Sequence, residues 1–555
     1  MRRTHYLTIV CGVLLGGTAL WIGCGTTQRD CAEGRDSSCA DLINPGAGGS
    51  TSTNSVTTAS SMMASSSTGI DPGCAGEIVE GLSAEESKRL ISDECGIFVQ
   101  VDATAATEEG TQAAPYKSLQ TAIDKAGNSK RVYVCANATT PYAEAVTVSA
   151  AVEVYGGFEC DKGWVFKTAT RSLLTGAAQQ VTLTLTESAG GARIEGFKIT
   201  SANATVKGES SVAVAVAAVV VALTLVACDL EAGEGAAGED GASPMGAAMK
   251  GADAPMATSS NACVAPNQIV AGVAGTTTCS DGMTAGGLGG TGGVTGMSNG
   301  DGQPGAAGTP MDMADGLGGD GESASKCKDG QPGKDGDTGA PGVPNSSPGT
   351  LTLTGLQSIA AGDGKAGTRG HGGGGGGGAK AGVFCKAGMA TVDGVGASGG
   401  GGGAGCCGGK GGGGGMAGGS SIALISLGTE LQLMDVTLKA AKGGNGGSGT
   451  AGQKGGAVGV GVIGGASSGV ASSNVGCLGG KGGEGGNGGP GGGGRGGHSI
   501  GLAVLGVPKM TASSSVPGTS GDGGLAGSGG SSANDGAKGL AEECWDFLNN
   551  KSCTK

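Results

Sequence analysis

His498 and Ser499 stand side by side in Gly497-His498-Ser499-Ile500-Gly501, a G-x-S-x-G pattern that can carry a serine nucleophile beside an imidazole base. That chemistry needs a strand before the serine and a helix after it. Here glycines precede it and strand residues follow. Gly496 to Gly506 also aligns with Gly418 to Gly428, where Ser420 replaces His498, so an internal repeat accounts for the pattern without catalysis. Asp301, Asp320, Asp329, Asp335, Asp337 and Asp522 lie beside glycines and offer oxygen ligands for a weak calcium site. The nonapeptide calcium repeat is absent, and these residues read as solvated turn aspartates. The adjacent Cys406 and Cys407 suit either a strained redox pair or, more simply, two bridges to other cysteines. No C-x-x-C exists, and beyond the first two dozen residues only His371 and His498 remain, which argues against a zinc site. Matches to G-x-G-x-x-G follow from composition, and no G-x-x-x-x-G-K-[ST] is present. No catalytic, metal or cofactor residue is therefore assigned.

The elements that would position any such groups are unusual. Of 555 residues 125 are glycine, and only 3% are aromatic, so a conventional core is implausible over most of the length. Five successive triplets run from Gly479-Gly480-Lys481 to Gly491-Gly492-Gly493. A polyproline II helix has three residues per turn, so Lys481, Glu484, Asn487 and Pro490 fall on one edge of it. The same period recurs at Gly443, Gly446, Gly449, Gly452 and Gly455, and from Gly330 to Gly342 with a collagen-like look. Such runs are either free chain, favoured by glycine's entropy, or layers packed glycine to glycine that exchange backbone hydrogen bonds. Tyr133, Tyr155, Phe158 and Trp164 belong to an aromatic crowd in roughly the second hundred residues, where dense packing is expected.

Arg2 and Arg3 followed by the uncharged stretch Tyr6 to Ile22 read as an export signal, residues 1–23. Its end, Trp21-Ile22-Gly23-Cys24, resembles a bacterial lipobox, which implies cleavage before Cys24, diacylation of that cysteine and a membrane partner through the lipid. Residues 24–73 read as a Ser/Thr/Gly-rich tether. Export favours disulfides, and sixteen of the 18 cysteines remain once Cys11 and Cys24 are set aside. Near neighbours suggest Cys31 with Cys39, Cys74 with Cys95, Cys135 with Cys160, Cys263 with Cys279, and Cys544 with Cys553. The net charge of −13, with no basic cluster, argues against nucleic acid.

Ser83 with Glu86 forms a capping box that starts a helix at Ala84, and Leu119, Ala122, Ile123 and Ala126 share one face of a second helix. Short Val/Ile-rich runs at Arg131 to Cys135, Ala145 to Val148, Val152 to Tyr155, Val181 to Leu185 and Ile194 to Ile199 predict strands. Val212 to Ala227 is too short for a membrane span and also reads as strand. Pro115-Tyr116-Lys117-Ser118-Leu119-Gln120-Thr121-Ala122-Ile123, then Val132-Tyr133-Val134 and Val152 to Phe158, resembles the start of pectin-lyase-like right-handed β-helix proteins. Ile194-Glu195-Gly196-Phe197-Lys198-Ile199 is similar to a later coil of that group. The resemblance covers residues 95 to 205 and implies an all-β fold, a right-handed parallel β-helix with long glycine-rich insertions.

The implied organisation is a cap and β-helix over 74–232, a collagen-like insertion over 233–346, further coils with insertions over 347–541, and a disulfide-linked cap over 542–555. Ser210 to Val214 matches Ser420 to Leu424, and Leu223 to Ala232 matches Leu431 to Ala440, with poorer copies from Thr350 and Ser499. Four excursions are thus expected at equivalent corners. The glycine runs are similar to the PGRS class of bacterial surface proteins. Gly370-His371-Gly372 and the His498 segment resemble parts of polygalacturonases, yet the N-T-D, adjacent Asp pair and R-I-K of those enzymes are missing.

A fold does not name a function. The expected function is a non-enzymatic, lipid-anchored envelope protein, structural or adhesive, with other envelope proteins or polysaccharide as candidate partners. The alternative is a polysaccharide-active or polysaccharide-binding groove built from Glu159, Asp161, Glu195, Tyr155 and Trp164, whose simpler role is packing.

Overall fold

The computed structural model describes residues 70–136, 140–357, 359–506 and 513–553. The signal, Cys24, the Cys31 and Cys39 pair and nearly all of the tether lie outside these residues. Strands dominate, with two α-helices. The first, Ala84–Leu90, carries the capping box: Ser83 Oγ accepts the Glu86 N–H at 3.2 Å, and the Glu86 carboxylate accepts the Ser83 N–H. The second, Leu119–Ala126, buries Leu119, Ala122, Ile123 and Ala126. The Glu144 carboxylate accepts its first N–H groups, at Leu119 and Gln120. No helix among the described residues is long and apolar enough to cross a membrane.

Two mainly parallel sheets face each other. One runs Gly96–Val99, Arg131–Cys135, Glu153–Glu159, Arg193–Glu195, Leu223–Glu231, Leu431–Lys439 and Ser513–Val516. The other runs Val146–Val148, Leu183–Leu185, Ser211–Val216, Ser421–Ser426, Ser499–Val504 and Ala541–Asp546, and ends in an antiparallel partner, Lys551–Ser552. Register places like on like: Val132, Val154, Ile194, Leu225 and Leu433 form one ladder, and Val146, Leu183, Val214, Leu424 and Leu502 another. Their side chains fill the space between the sheets. On the opposite face of the first sheet Phe98, Tyr133, Tyr155, Phe158, Trp164 and Phe166 pack under Ile78, Leu90 and Ile91.

The internal copies read from the sequence are direct neighbours in the stack, Ser211 on Ser421 on Ser499 and Leu223 on Leu431. The copy expected from Thr350 is a correction. Thr350–Thr352 and Gly355–Gln357 form an antiparallel hairpin whose Leu351 packs with Val212, Ile422 and Ile500. Leu353 and Thr354 form the tight turn, followed by Gly355 at positive φ, that the repeat alignment overlooked. Three excursions therefore leave at stacked positions, after Glu231, Lys439 and Val516, while the fourth leaves from this hairpin.

The glycine runs are packed. Gly333, Gly336, Gly339 and Gly342 donate to the carbonyls of Lys481, Glu484, Asn487 and Pro490 at 2.7–2.9 Å. In the same segment Gly482, Gly488 and Gly491 donate to Gly459, Gln453 and Thr450. Gly483, Gly486, Gly489 and Gly492 donate to His371, Thr368, Lys365 and Gly362, and their carbonyls accept from Cys406, Gly409, Gly412 and Gly415. One chain thus bonds four neighbours with a three-residue period, as a threefold extended helix requires. The lattice also continues the sheets. Beyond the pairing of Leu223–Glu231 with Leu431–Lys439, Ala232, Gly235, Gly238 and Gly241 donate to Lys439, Lys442, Asn445 and Ser448.

Three disulfides staple this slab: Cys263 to Cys385, Cys279 to Cys407 and Cys327 to Cys477, with sequence separations of 122, 128 and 150. The expected Cys263 to Cys279 bridge is thus wrong. Sequence proximity misleads where chains more than a hundred residues apart lie side by side. At the ends Cys74 bonds Cys95, Cys135 bonds Cys160 and Cys544 bonds Cys553.

Packing this close forbids a side chain on the buried triplet positions. A Cβ on Gly488 would lie 1.8 Å from the Lys410 carbonyl oxygen, and that atom belongs to backbone held on several sides. Gly488→Ala is expected to destabilise the slab by roughly 3 kcal/mol or more, whereas Lys481→Ala on the exposed edge changes stability by less than about 0.5 kcal/mol. Differential scanning calorimetry of the two variants checks the contrast.

Candidate functional site

The His498 and Ser499 pair sits where the glycine lattice becomes sheet. Ser499 is fully buried; its Oγ donates to the Ala441 carbonyl at 2.7 Å and accepts the Gly518 N–H at 2.8 Å. His498 Nδ1 accepts the Leu540 N–H at 2.8 Å, so Nε2 carries the proton and donates to the Pro348 carbonyl at 2.9 Å. Neither side chain is bonded to the other. The equivalent positions behave alike: Ser420 Oγ accepts the His498 N–H, Ser210 Oγ accepts the Ser420 N–H, and Ser421 Oγ accepts the Ala441 N–H. The G-x-S-x-G pattern is therefore one rung of a hydroxyl ladder that satisfies backbone groups at the change of period. Nothing in its geometry prepares a nucleophile.

The aspartates offered for calcium are spread over separate contacts. Asp329 and Asp335 accept the N–H groups of Leu478 and Glu484 at 2.8 and 2.7 Å. Asp301 pairs with Lys380, Asp320 with Lys328 and Asp522 with Lys538. The Asp337 N–H donates to Thr368 Oγ1. Reading them as merely solvated missed this use as edge caps. Asp240, Asp253 and Asn261 do the same for Ser448, Val460 and Ala466. The signal was present in the sequence as Asp or Asn at a triplet's outward position. Among the described residues no group of three or more His, Cys, Asp or Glu side chains converges as a metal would need. Cys407 is bridged to Cys279 while Cys406 is a buried free thiol, so the expectation of two bridges holds for one of the pair. Cys228 is also free and buried. His371 takes part through its backbone, with its N–H donating to Lys334.

The residues proposed for a glycan groove are not brought together as an open surface. Tyr155 and Trp164 are buried in the aromatic cluster, and Arg131 and Arg193 lie over the Tyr155 ring. Glu195 is 5% exposed and pairs with Arg193 at 2.6 Å; burial pushes its carboxyl up, against the pull of that guanidinium. Glu159 pairs with Lys162, and Asp161 lies in a short 3-10 turn beside them. A cavity of about 330 Å³ lies between Gln179, Glu209, Ser210, Thr354 and Leu356, and an open trough of about 610 Å³ lies between Asp240, Met245, Asp363 and Lys410. Neither joins a nucleophile to a base. What the molecule offers instead is the slab itself, with its outward triplet positions and exposed backbone edges. The chain matches no known family, no curated protein and no solved structure.

Burial pulls His498 down to about 4, since the charged ring would lose water and meet the Leu540 N–H. The unfolded ring titrates near 6.5, so between these values the unfolded chain binds more protons. Stability that is full above pH 6.5 should fall by about 3 kcal/mol as the pH drops through 4. His498→Ser, which installs the residue found at 420, is expected to lower stability at pH 7 and to abolish this part of the pH dependence. Urea unfolding followed by far-ultraviolet circular dichroism at pH 7 and pH 4 reads both effects.

Proposed function

We propose that this is a lipid-anchored, non-enzymatic protein of the bacterial cell envelope, in which a right-handed parallel β-helix carries a glycine-rich slab outward as a structural or adhesive surface. The observation that carries the reading is the continuity of the lattice with the sheets. Gly235, Gly238 and Gly241 extend one sheet's pairing by the same parallel step, so the slab is held rigidly to the stacked strands. A stiff plate with short side chains is suited to contact and poorly suited to enclosing a substrate. The parallel ladders of both sheets and the capping helix Leu119–Ala126 fit β-helix coils closed at one end. Six disulfides among the described residues fit an exported chain. Cys24 would take the acyl chains, and residues 24–73 would hold the folded part away from the membrane.

In cells of its native host, the protein is expected to take up radiolabelled palmitate and to be cut by protease added to intact cells. Cys24→Ala should lose the label and be released from the membrane fraction. Labelling with full protection from protease would move the protein to the periplasm, and absence of label would overturn the anchor.

A further inference from the structure

The strand of the slab that follows Lys439 has one edge occupied only over its first part. Gly443, Gly446 and Gly449 donate to the carbonyls of Thr519, Asp522 and Leu525 at 2.8–2.9 Å. The lower chain then bends away, with Gly530 bonding back to Gly527 and a 3-10 turn at Ser532–Asn534. Three-residue steps continue the same edge to Gly452, Gly455, Val458, Gly461 and Gly464. Among the described residues the N–H groups of Gly452, Val458, Gly461 and Gly464 have no hydrogen-bond partner, and all four residues are half-exposed. At Gly455 the Asn487 side chain supplies the missing acceptor at 3.0 Å.

Two properties define what would fit. In the occupied part the backbone–backbone bonds of this edge run from the N–H of the upper strand to the C=O of the lower, while the lower chain gives its Asp522 N–H to the Asn445 side chain and its Gly521, Gly524 and Gly527 N–H groups to Gly497, Gly494 and Gly491, so on this edge an occupant must offer carbonyls. Those carbonyls must recur every third residue, roughly 9 Å apart, which is the repeat of a polyproline II chain. Proline, which lacks an N–H, fits the carbonyl-bearing positions of this path, because the N–H groups that the lower chain gives to Gly497, Gly494 and Gly491 come from the glycine two residues further on. The stretch also carries Val458, Val460 and Ile463, with the last two 51% and 79% exposed. Apolar side chains beside a row of donors suit pyrrolidine rings.

We propose that the edge from Gly452 to Gly464 is a docking site for an extended, proline- and glycine-rich segment of a partner protein, which continues the path of Thr519 to Leu525. The inference rests on the reading of the slab as a contact surface and names the partner's chemistry. It concerns purified protein and so stands or falls apart from the cellular location.

The test uses the full mature chain and a fluorescently labelled peptide of five Pro-Gly-Gly repeats, with a Gly-Ser peptide of equal length as control. Val458→Pro removes one donor while keeping a backbone conformation that the lattice already uses. Fluorescence anisotropy is expected to show saturable binding of the proline peptide, weaker binding of the control, and a loss of roughly fivefold or more in Val458→Pro. Amide hydrogen exchange on the unmutated protein gives a second reading, with slowing expected at Gly452, Gly461 and Gly464 when peptide is added. Equal binding by the two proteins, or no slowing at these amides, overturns the proposal. Concentration-dependent dimers abolished by Val458→Pro would also overturn it, by making a second copy of this chain the occupant.

Discussion

The absence of Cβ atoms is the constraint on which the slab depends. At position after position a methyl group would fall near 2 Å from a neighbouring carbonyl, as at Gly376 against Cys477 and at Gly405 against Gly370. Such proximity lets backbone N–H and C=O groups bond directly across chains that have almost no side chains to bury. Order in this half of the molecule therefore comes from hydrogen bonds between backbones, whereas the stacked sheets are held by ladders of Val, Leu and Ile. Glycine's large loss of conformational entropy opposes the arrangement. The long-range disulfides Cys263 to Cys385, Cys279 to Cys407 and Cys327 to Cys477 offset part of that loss by restricting the unfolded chain.

The two regimes differ in period, two for a strand and three for the glycine chain, and the molecule joins them at fixed places. Ser210, Ser420, Ser421, His498 and Ser499 stand at that border, where hydroxyl and imidazole groups accept N–H groups that neither regular pattern would satisfy. Buried polar groups are expected where backbone periodicity changes. The same residues imitate a catalytic motif for a reason that has nothing to do with catalysis.

How far this was legible depended on whether a pattern is local. Arg131 to Cys135 was read with its observed ends, and Ala84 was recognised as a helix start, because alternation and capping are written within a few residues. The internal copies at Ser210, Ser420 and Ser499 announced which strands would stack. The run from Ile194 to Ile199 was read as one strand but is two, Arg193–Glu195 and Phe197–Thr200, because Gly196 takes a positive φ and turns the chain between them. Lateral order in the slab was less readable. Period three marks a threefold chain, yet which chain lies beside which is set by long connections, and for that reason Cys263 was joined to the wrong partner. Asp335 and Asp253 were visible as acids, but their use as caps depends on a neighbour 149 or 207 residues away.

The distribution of aromatic rings has a practical corollary. Trp164 lies in the cap at one end of the stack and Trp545 in the last long strand at the other, while Phe384 is the single Phe, Tyr or Trp between residues 233 and 540. Emission from these two indoles thus samples the two ends and is dark to the plate between them. The slab could come apart while an optical melt followed by tryptophan reported an intact molecule.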